Sequence, residues 1–273
     1  MNPGPDSSVA ALIRAGTRLP IAVPPSGPLY EGHFPGRPIL PGVGLVGLAL
    51  RALAAAGAPR ALREIPMLRL RRQVAPGEAL ELVVLACDPD GRVRLELLRG
   101  AALVANGVLV LGERAAAAVA AVLIRPPRGT VNVPDLDELL PQRPPMRFVT
   151  AVEAVGDDGL TCAVRVPEHS AFAELGSAPA YVALEMAAQS AATFEGLRRV
   201  REGASGGPRI GFLVGVRATR FTRALVPVGE TLVATIQLAT LAPPLATYSF
   251  EVAAGSDVVA TGAVSTWLTA TGA

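Results

Sequence analysis

Apolar positions along this chain fall into two kinds of pattern. Six stretches alternate apolar and polar residues with the period of two that a half-buried strand requires. Three come early, EALELVVLAC (78–87), RVRLELLRG (92–100) and AALVANGVLVLG (101–112). Three come late, ETLVATIQLAT (230–240), ATYSFEVAAG (246–255) and DVVATGAVSTWLTA (257–270). DPDG in the first set and GSD in the second read as the turns between strands. Two other stretches are apolar nearly all the way round, PGVGLVGLALRALAAAG (41–57) and PAYVALEMAAQSAATFEGLRR (179–199). Each opens on a proline, a common first helical residue, and each predicts a buried helix.

The two sets echo each other. VAPGEAL (74–80) follows the alternating MLRLRRQ, and VPVGETL (226–232) follows RATRFTRA, with Gly77-Glu78 and Gly229-Glu230 lying 152 positions apart. The helices are offset by only 138, from Pro41 to Pro179, so the second half carries about 14 extra residues, for which the Gly-rich EGASGGPR (202–209) is the obvious insertion. Between the halves, ERAAAAVAAVLIRPPRG (113–129) is Ala-rich and then Arg/Pro-rich without a strand or helix period. The expected organisation is a first unit over 1–114, a linker over 115–130 and a second unit over 131–273. One buried helix wrapped by an antiparallel sheet, twice over, is the expected architecture, of the α+β class.

Composition narrows the function classes. Of 273 residues 51% are apolar but only 4% aromatic, so the core must be built mostly from Ala, Val and Leu. A net charge of +2 argues against nucleic acid as the main partner. All 25 basic residues are Arg, which a GC-rich genome explains without any functional demand. The opening MNPGPDSSVAALIRAG lacks the order of a signal peptide, and the apolar run after Pro41 meets Arg51 too early to span a bilayer, so a cytoplasmic location is expected. Cys87 and Cys162 lack metal-ligand spacing and are expected to be small buried apolar residues. No metal site is implied.

Candidate chemistry begins at EGHFPGRPILPGV (31–43), where His33 lies among glycines and prolines just ahead of the first helix. Together with RRQVAPGEAL (71–80), the run GHFPGRPILPGV (32–43) is similar to the signature of the bacterial 3-hydroxyacyl-carrier-protein dehydratases of the hot-dog fold. In the second half LLPQRPPMRFVTAV (139–152) resembles the leading segment of the same family and VALEMAAQSAA (182–192) its central helix. The fused arrangement resembles the dehydratase pair of aryl-polyene-type biosynthesis. This likeness spans roughly residues 20–112 and 135–270. It implies a double hot-dog, two central helices each wrapped by an antiparallel sheet, with the sheets joined into one pseudo-dimer.

The likeness also implies a reaction. Dehydrating a 3-hydroxyacyl thioester needs a base for the proton beside the carbonyl, an acid for the leaving hydroxyl and donors for the developing oxyanion. An imidazole, with an unperturbed pKa of about 6.5, suits the first task, and a carboxyl group kept protonated by desolvation suits the second. In the resembled family the acid lies fourteen positions after the histidine, and each site takes its histidine from one unit and its acid from the other. Fourteen positions after His33 stands Gly47, which has no side chain. In the second half Glu185 stands at the acid position and Ala171 at the histidine position. The resemblance therefore implies one complete site, His33 as base with Glu185 as acid, and one dead site.

By the same likeness the backbone N–H of Ala180, at the start of the acid-bearing helix, is expected to bind the thioester oxygen. Gln189, one turn past Glu185, is placed to hold its carboxyl group. Phe34, Pro35, Gly36, Pro41 and Gly42 form the motif turn. The substrate is expected on the phosphopantetheine arm of acyl carrier protein, with no cofactor of the protein's own, and the pseudo-dimer is a possible homo-oligomer. His169 is two residues out of register with the missing histidine and reads as an exposed loop residue. Arg69, Arg71, Arg72, Arg217, Arg220 and Arg223 lie on strands near the implied tunnel mouth and suit an acidic carrier protein, although solvated strand faces explain them equally. Two other readings stay open: hydration of enoyl-CoA by the same residues, and a non-catalytic acyl-binding or scaffold subunit.

Overall fold

The computed structural model describes residues 13–59, 61–113, 116, 133–203 and 208–268. Its first half contains β1 (Arg18–Ala22), α1 (Gly42–Ala55), β2 (Ala61–Leu70), β3 (Ala79–Cys87), β4 (Arg92–Arg99) and β5 (Ala102–Gly112). The second contains α2 (Leu136–Leu139), β6 (Val149–Val155), β7 (Gly159–Val164), β8 (Ser177–Pro179), α3 (Ala183–Arg201), β9 (Gly211–Phe221), β10 (Leu225–Pro227), β11 (Leu232–Ala242), β12 (Leu245–Ala254) and β13 (Asp257–Leu268). All six alternating stretches are strands and both apolar runs are helices. The second helix differs at its start, where Ala180–Val182 form a 3-10 turn ahead of α3.

Eleven strands form one sheet in the order β1-β3-β4-β5-β2-β9-β13-β12-β11-β7-β6, while β8 and β10 pair separately. The two halves meet at the antiparallel pair β2–β9, where Met67 faces Arg217 and Arg69 faces Gly215. On either side of that seam the meander β3-β4-β5 repeats as β11-β12-β13, which is the structural form of the sequence repeat. At the outer edge the halves differ, β1 alone on one side and the β6–β7 hairpin on the other. The fold is the expected α+β double hot-dog.

Each helix buries its apolar surface against its own part of the sheet. Leu45, Val46 and Ala49 of α1 face Leu68, Leu70, Leu95, Leu97 and Leu109. Leu184, Met186, Ala187, Ala191 and Phe194 of α3 are at most 1% exposed. Polar groups inside α3 are bonded locally, Ser190 to the Met186 carbonyl at 2.8 Å and Thr193 to the Gln189 carbonyl at 2.9 Å, as burial requires. Cys162 is fully buried in β7, whereas Cys87, expected to be buried, is half-buried at the end of β3. The expected linker, 115–130, lies outside the described residues except for Ala116, whose N–H donates to the Phe221 carbonyl at 2.9 Å. Of the expected insertion, residues 204–207 lie outside them too.

Candidate active site

His33 is held by a small closed loop. Phe34 and Arg37 exchange backbone hydrogen bonds at 3.2 and 3.0 Å, and the Ile39 N–H returns to the His33 carbonyl at 3.2 Å. Pro35 and Gly36 form the exposed tip of this turn, and Gly36 takes a φ of +75° that suits glycine. The ring stacks on Phe34, centroids 4.1 Å apart, and Phe34 meets Phe212 of β9 edge-on. His33 Nδ1 lies 3.1 Å from the Ile39 carbonyl. A carbonyl only accepts, so Nδ1 carries the hydrogen and a neutral ring keeps its lone pair on Nε2. The residue is 7% exposed.

Glu185 stands in the first turn of α3, 3% exposed. Gln189 Nε2 donates to its Oε1 at 3.0 Å and to the Met146 carbonyl at 2.7 Å, while Gln189 Oε1 accepts from the Phe148 amide at 2.7 Å. With donors and acceptor all engaged, the Gln189 side chain is fixed, and it ties the carboxyl group to the loop that precedes β6.

His33 and Glu185 line one cavity of about 690 Å³, within the range of small-molecule sites. Its wall along α3 is Glu185, Ala188, Ala192 and Glu195, residues spaced to share one helix face, and the two alanines leave the space between the carboxyl groups open. Glu195 is itself engaged, accepting from the Tyr248 hydroxyl and from Arg198 at 3.5 Å. Gly42, Leu45, Leu70, Phe212 and Leu213 supply part of the opposite wall.

Ala180 is not where a carbonyl oxygen in this cavity could use it. Its N–H donates to the Ala224 carbonyl at 2.9 Å, the residue is 2% exposed, and it is absent from the cavity wall. The 3-10 turn and the β8–β10 pair close over it, so the expected oxyanion donor is wrong. The free amides at the cavity belong to the other helix. In α1 the first helical bond runs from the Leu45 N–H to the Pro41 carbonyl at 3.1 Å, and no side chain caps the N-terminus. Gly42, Val43 and Gly44 thus have no acceptor within the helix, and Gly42 lines the cavity. The sequence already carried this signal, since a proline N-cap has no side-chain oxygen to satisfy those amides.

The second, pseudo-symmetric position is filled. A Cβ at Gly47 would lie 2.6 Å from the Tyr181 hydroxyl, so a side chain from the second half occupies the space an acid at 47 would need. Tyr181 packs edge-on against Phe172, and Phe172 against Phe148. Ala171 immediately precedes Phe172, and His169 is exposed and is not among the residues lining the cavity that holds His33 and Glu185. Of the six arginines expected at the tunnel mouth, only Arg71 and Arg72 line the cavity, joined there by Arg99. Arg220 and Arg223 sit farther along the chain, paired with Glu64 at 3.4 Å and Asp257 at 2.7 Å.

Known proteins agree with this reading of the fold. The family model for ApeP dehydratase matches residues 134–271, about half of the chain, and the model for ApeI dehydratase matches residues 14–107. Among curated proteins, a 3-hydroxyacyl-[acyl-carrier-protein] dehydratase FabZ from Pelotomaculum thermopropionicum is 35% identical over 102 residues, 33% of this chain and 64% of that one. Another, from Herpetosiphon aurantiacus, is 41% identical over 69 residues, 21% of this chain and 46% of its own length. The chain thus spans less than two thirds of either relative. Two solved structures match nearly end to end. The bifunctional dehydratase-cyclase domain in ambruticin biosynthesis has a TM-score of 0.60 at 23% identity, covering 94% of this chain and 92% of that one. The dehydratase domain of RzxB from Pseudomonas fluorescens reaches a TM-score of 0.67 at 15% identity, covering 92% and 94%. Those identities speak for the fold alone. With two hot-dog halves on one sheet and a dehydratase family model on each, this chain belongs to the hot-dog fold dehydratases, its second half to the ApeP-like family.

Proposed function

We propose that the protein dehydrates a 3-hydroxyacyl thioester, delivered on the phosphopantetheine arm of acyl carrier protein, to the trans-2-enoyl thioester at a single site shared by its two halves. The observation that carries this is the meeting of His33, from the first half, and Glu185, from the second, on the wall of one cavity. His33 Nε2 removes a C2 proton, and the electron pair moves into the thioester as an enolate. The Gly42 amide and its neighbours at the α1 N-terminus stabilise that oxyanion, where free N–H groups and the helix dipole favour negative charge. As the C2=C3 bond forms the C3–O bond breaks, and Glu185 protonates the departing hydroxyl to give water. The imidazolium and carboxylate then return to their starting states by moving one proton from His33 to Glu185. Arg71 and Arg72, exposed on the cavity wall, suit an acidic carrier and its phosphate, with Arg99 beside them paired to Glu78 at 2.6 Å.

Single substitutions test the reading. Both His33→Ala and Glu185→Gln are expected to lower turnover of a 3-hydroxyacyl-carrier substrate by about 100-fold or more. Release of enoyl thioester, followed by its absorbance, is the measurement. Retention of full activity by either variant sinks the proposal and favours an acyl-binding or scaffold role. Parallel assays with matched CoA thioesters decide between carrier-bound dehydration and hydration of enoyl-CoA.

A further inference from the structure

Gln142, in the loop between α2 and β6, has no part in the steps above. The residue is 5% exposed, and its amide oxygen has no hydrogen-bond partner in the protein. It lines the same cavity as His33, Gly42 and Glu185. A buried amide oxygen without a partner is unfavourable and uncommon in a folded chain, and a residue carrying one on a cavity wall is a candidate to bond a ligand.

The loop carrying Gln142 is tied at both ends to the neighbours of the proposed base and acid. At one end the Arg143 N–H donates to the carbonyl of Gly32, the residue before His33, at 3.0 Å. The approach is close: a Cβ on Gly32, whose φ is +78°, would run into the Arg143 carbonyl. At the other end the Met146 carbonyl and the Phe148 amide both bond to Gln189, which bonds Glu185. The Arg143 guanidinium closes the middle, donating to the carbonyls of Leu140 at 2.6 Å, Gln142 at 3.0 Å and Asp137 at 3.0 Å. The Gln142 backbone is thereby fixed on the wall that runs from His33 to Glu185.

A 3-hydroxyacyl thioester brings two oxygens into this space. The thioester oxygen belongs with the α1 amides, and the 3-hydroxyl must lie beside Glu185. Of these two oxygens only the hydroxyl carries a hydrogen, so only it can donate to the unpartnered Gln142 Oε1. An amide oxygen can accept the O–H hydrogen while the hydroxyl oxygen points its lone pair at the acid. We infer that Gln142 is a substrate-binding residue: its unpartnered amide hydrogen-bonds the 3-hydroxyl of the acyl chain and makes the site prefer 3-hydroxyacyl chains over unsubstituted ones. The inference rests on the dehydratase reading and adds to it a residue and a selectivity.

Gln142→Met keeps the shape of the side chain and removes only the amide. In a His33→Ala background, which blocks turnover, binding of a 3-hydroxyacyl thioester and of the saturated acyl thioester of equal length is compared with and without Gln142→Met, by calorimetry. The expected result is roughly tenfold weaker binding of the 3-hydroxyacyl ligand, with the saturated ligand unchanged within about twofold. Equal weakening of both ligands, or of neither, overturns the inference. Should the Met variant fail to fold, Gln142→Asn, which draws the amide back by one methylene, must show the same selective loss or the inference falls. If His33→Ala alone still turns over the 3-hydroxyacyl substrate, the dehydratase reading itself fails, a result independent of any change at Gln142.

Discussion

Gln189 shows how much of the candidate site depends on a residue outside the cavity wall. Fully buried, it satisfies the Met146 carbonyl and the Phe148 amide while holding Glu185. Gln189→Leu would strand three buried polar groups, each at a cost of about 1–3 kcal/mol. The expected loss of stability is therefore at least about 3 kcal/mol, read from the midpoint and slope of urea unfolding. A loss below about 1 kcal/mol would mean that the loop before β6 satisfies itself without the glutamine. At this scale the sequence was informative where local spacing decides the matter. The turn around His33, the carboxyl on an apolar helix and the glutamine one turn later are all short-range features. Ala180 was misread because the likeness assumes an acid-bearing helix that begins directly, as α1 does. The helix is instead preceded by a 3-10 turn at Ala180–Val182, and the Ala224 carbonyl that engages the Ala180 amide comes from 44 positions away. Gln142 passed unnoticed for a similar reason, since nothing in LLPQRPPMRFV marks a side chain that will be buried without a partner.

Between elements, the telling contrast is between α1 and α3. Both are buried and both cover a repeat of the same meander, but α1 carries glycine where α3 carries the acid, and Tyr181 fills the gap. Gly47→Ala tests that packing. In a helix interior alanine is favoured over glycine by up to about 1 kcal/mol, whereas forcing an atom to 2.6 Å from the Tyr181 hydroxyl carries an overpacking cost of about 1–3 kcal/mol. The substitution is expected to destabilise the wild type and to become neutral or stabilising in a Tyr181→Phe background, where that oxygen is gone. Thermal unfolding of the four proteins in the double-mutant cycle gives the answer, and an identical effect of Gly47→Ala in both backgrounds sinks it. Strand prediction succeeded for the two meanders because their alternation is long. It missed the edge strands β1 and β6, the strand β7, whose six residues are all buried and show no period of two, and the three-residue β8 and β10, too short to carry one.

Across the whole molecule the β2–β9 seam joins the two halves in one sheet, and the cavity wall draws on both, with His33 from the first and Glu185 from the second. The repeat and its change of spacing were readable in the chain, because duplicated units keep their turn residues. The edge asymmetry was not, since β1 and the β6–β7 hairpin share no pattern. Stability of this body is expected to fall at alkaline pH for a reason buried in the second half. Burial pushes the Cys162 thiol up to about 12 from an ordinary value of 9.0. Burial likewise raises Tyr181, and burial together with the Glu195 hydrogen bond raises Tyr248. For a group raised in the folded state, the native protein holds a proton that the unfolded chain releases, so stability is full below the unfolded value and declines as pH rises toward the folded one. Cys162 alone should cost at most about 1.4 kcal/mol per pH unit between about pH 9 and pH 12. The tyrosines add to the decline only above about pH 10, their ordinary value. Urea unfolding at intervals from about pH 8 to pH 11 should show the decline in wild type. In Cys162→Ala the portion between about pH 9 and pH 10 should become shallower, the remainder coming from Cys87, whose thiol is also raised by burial and by the nearby Asp88 and Asp90, whereas an unchanged slope there would mean that groups other than Cys162 govern alkaline unfolding.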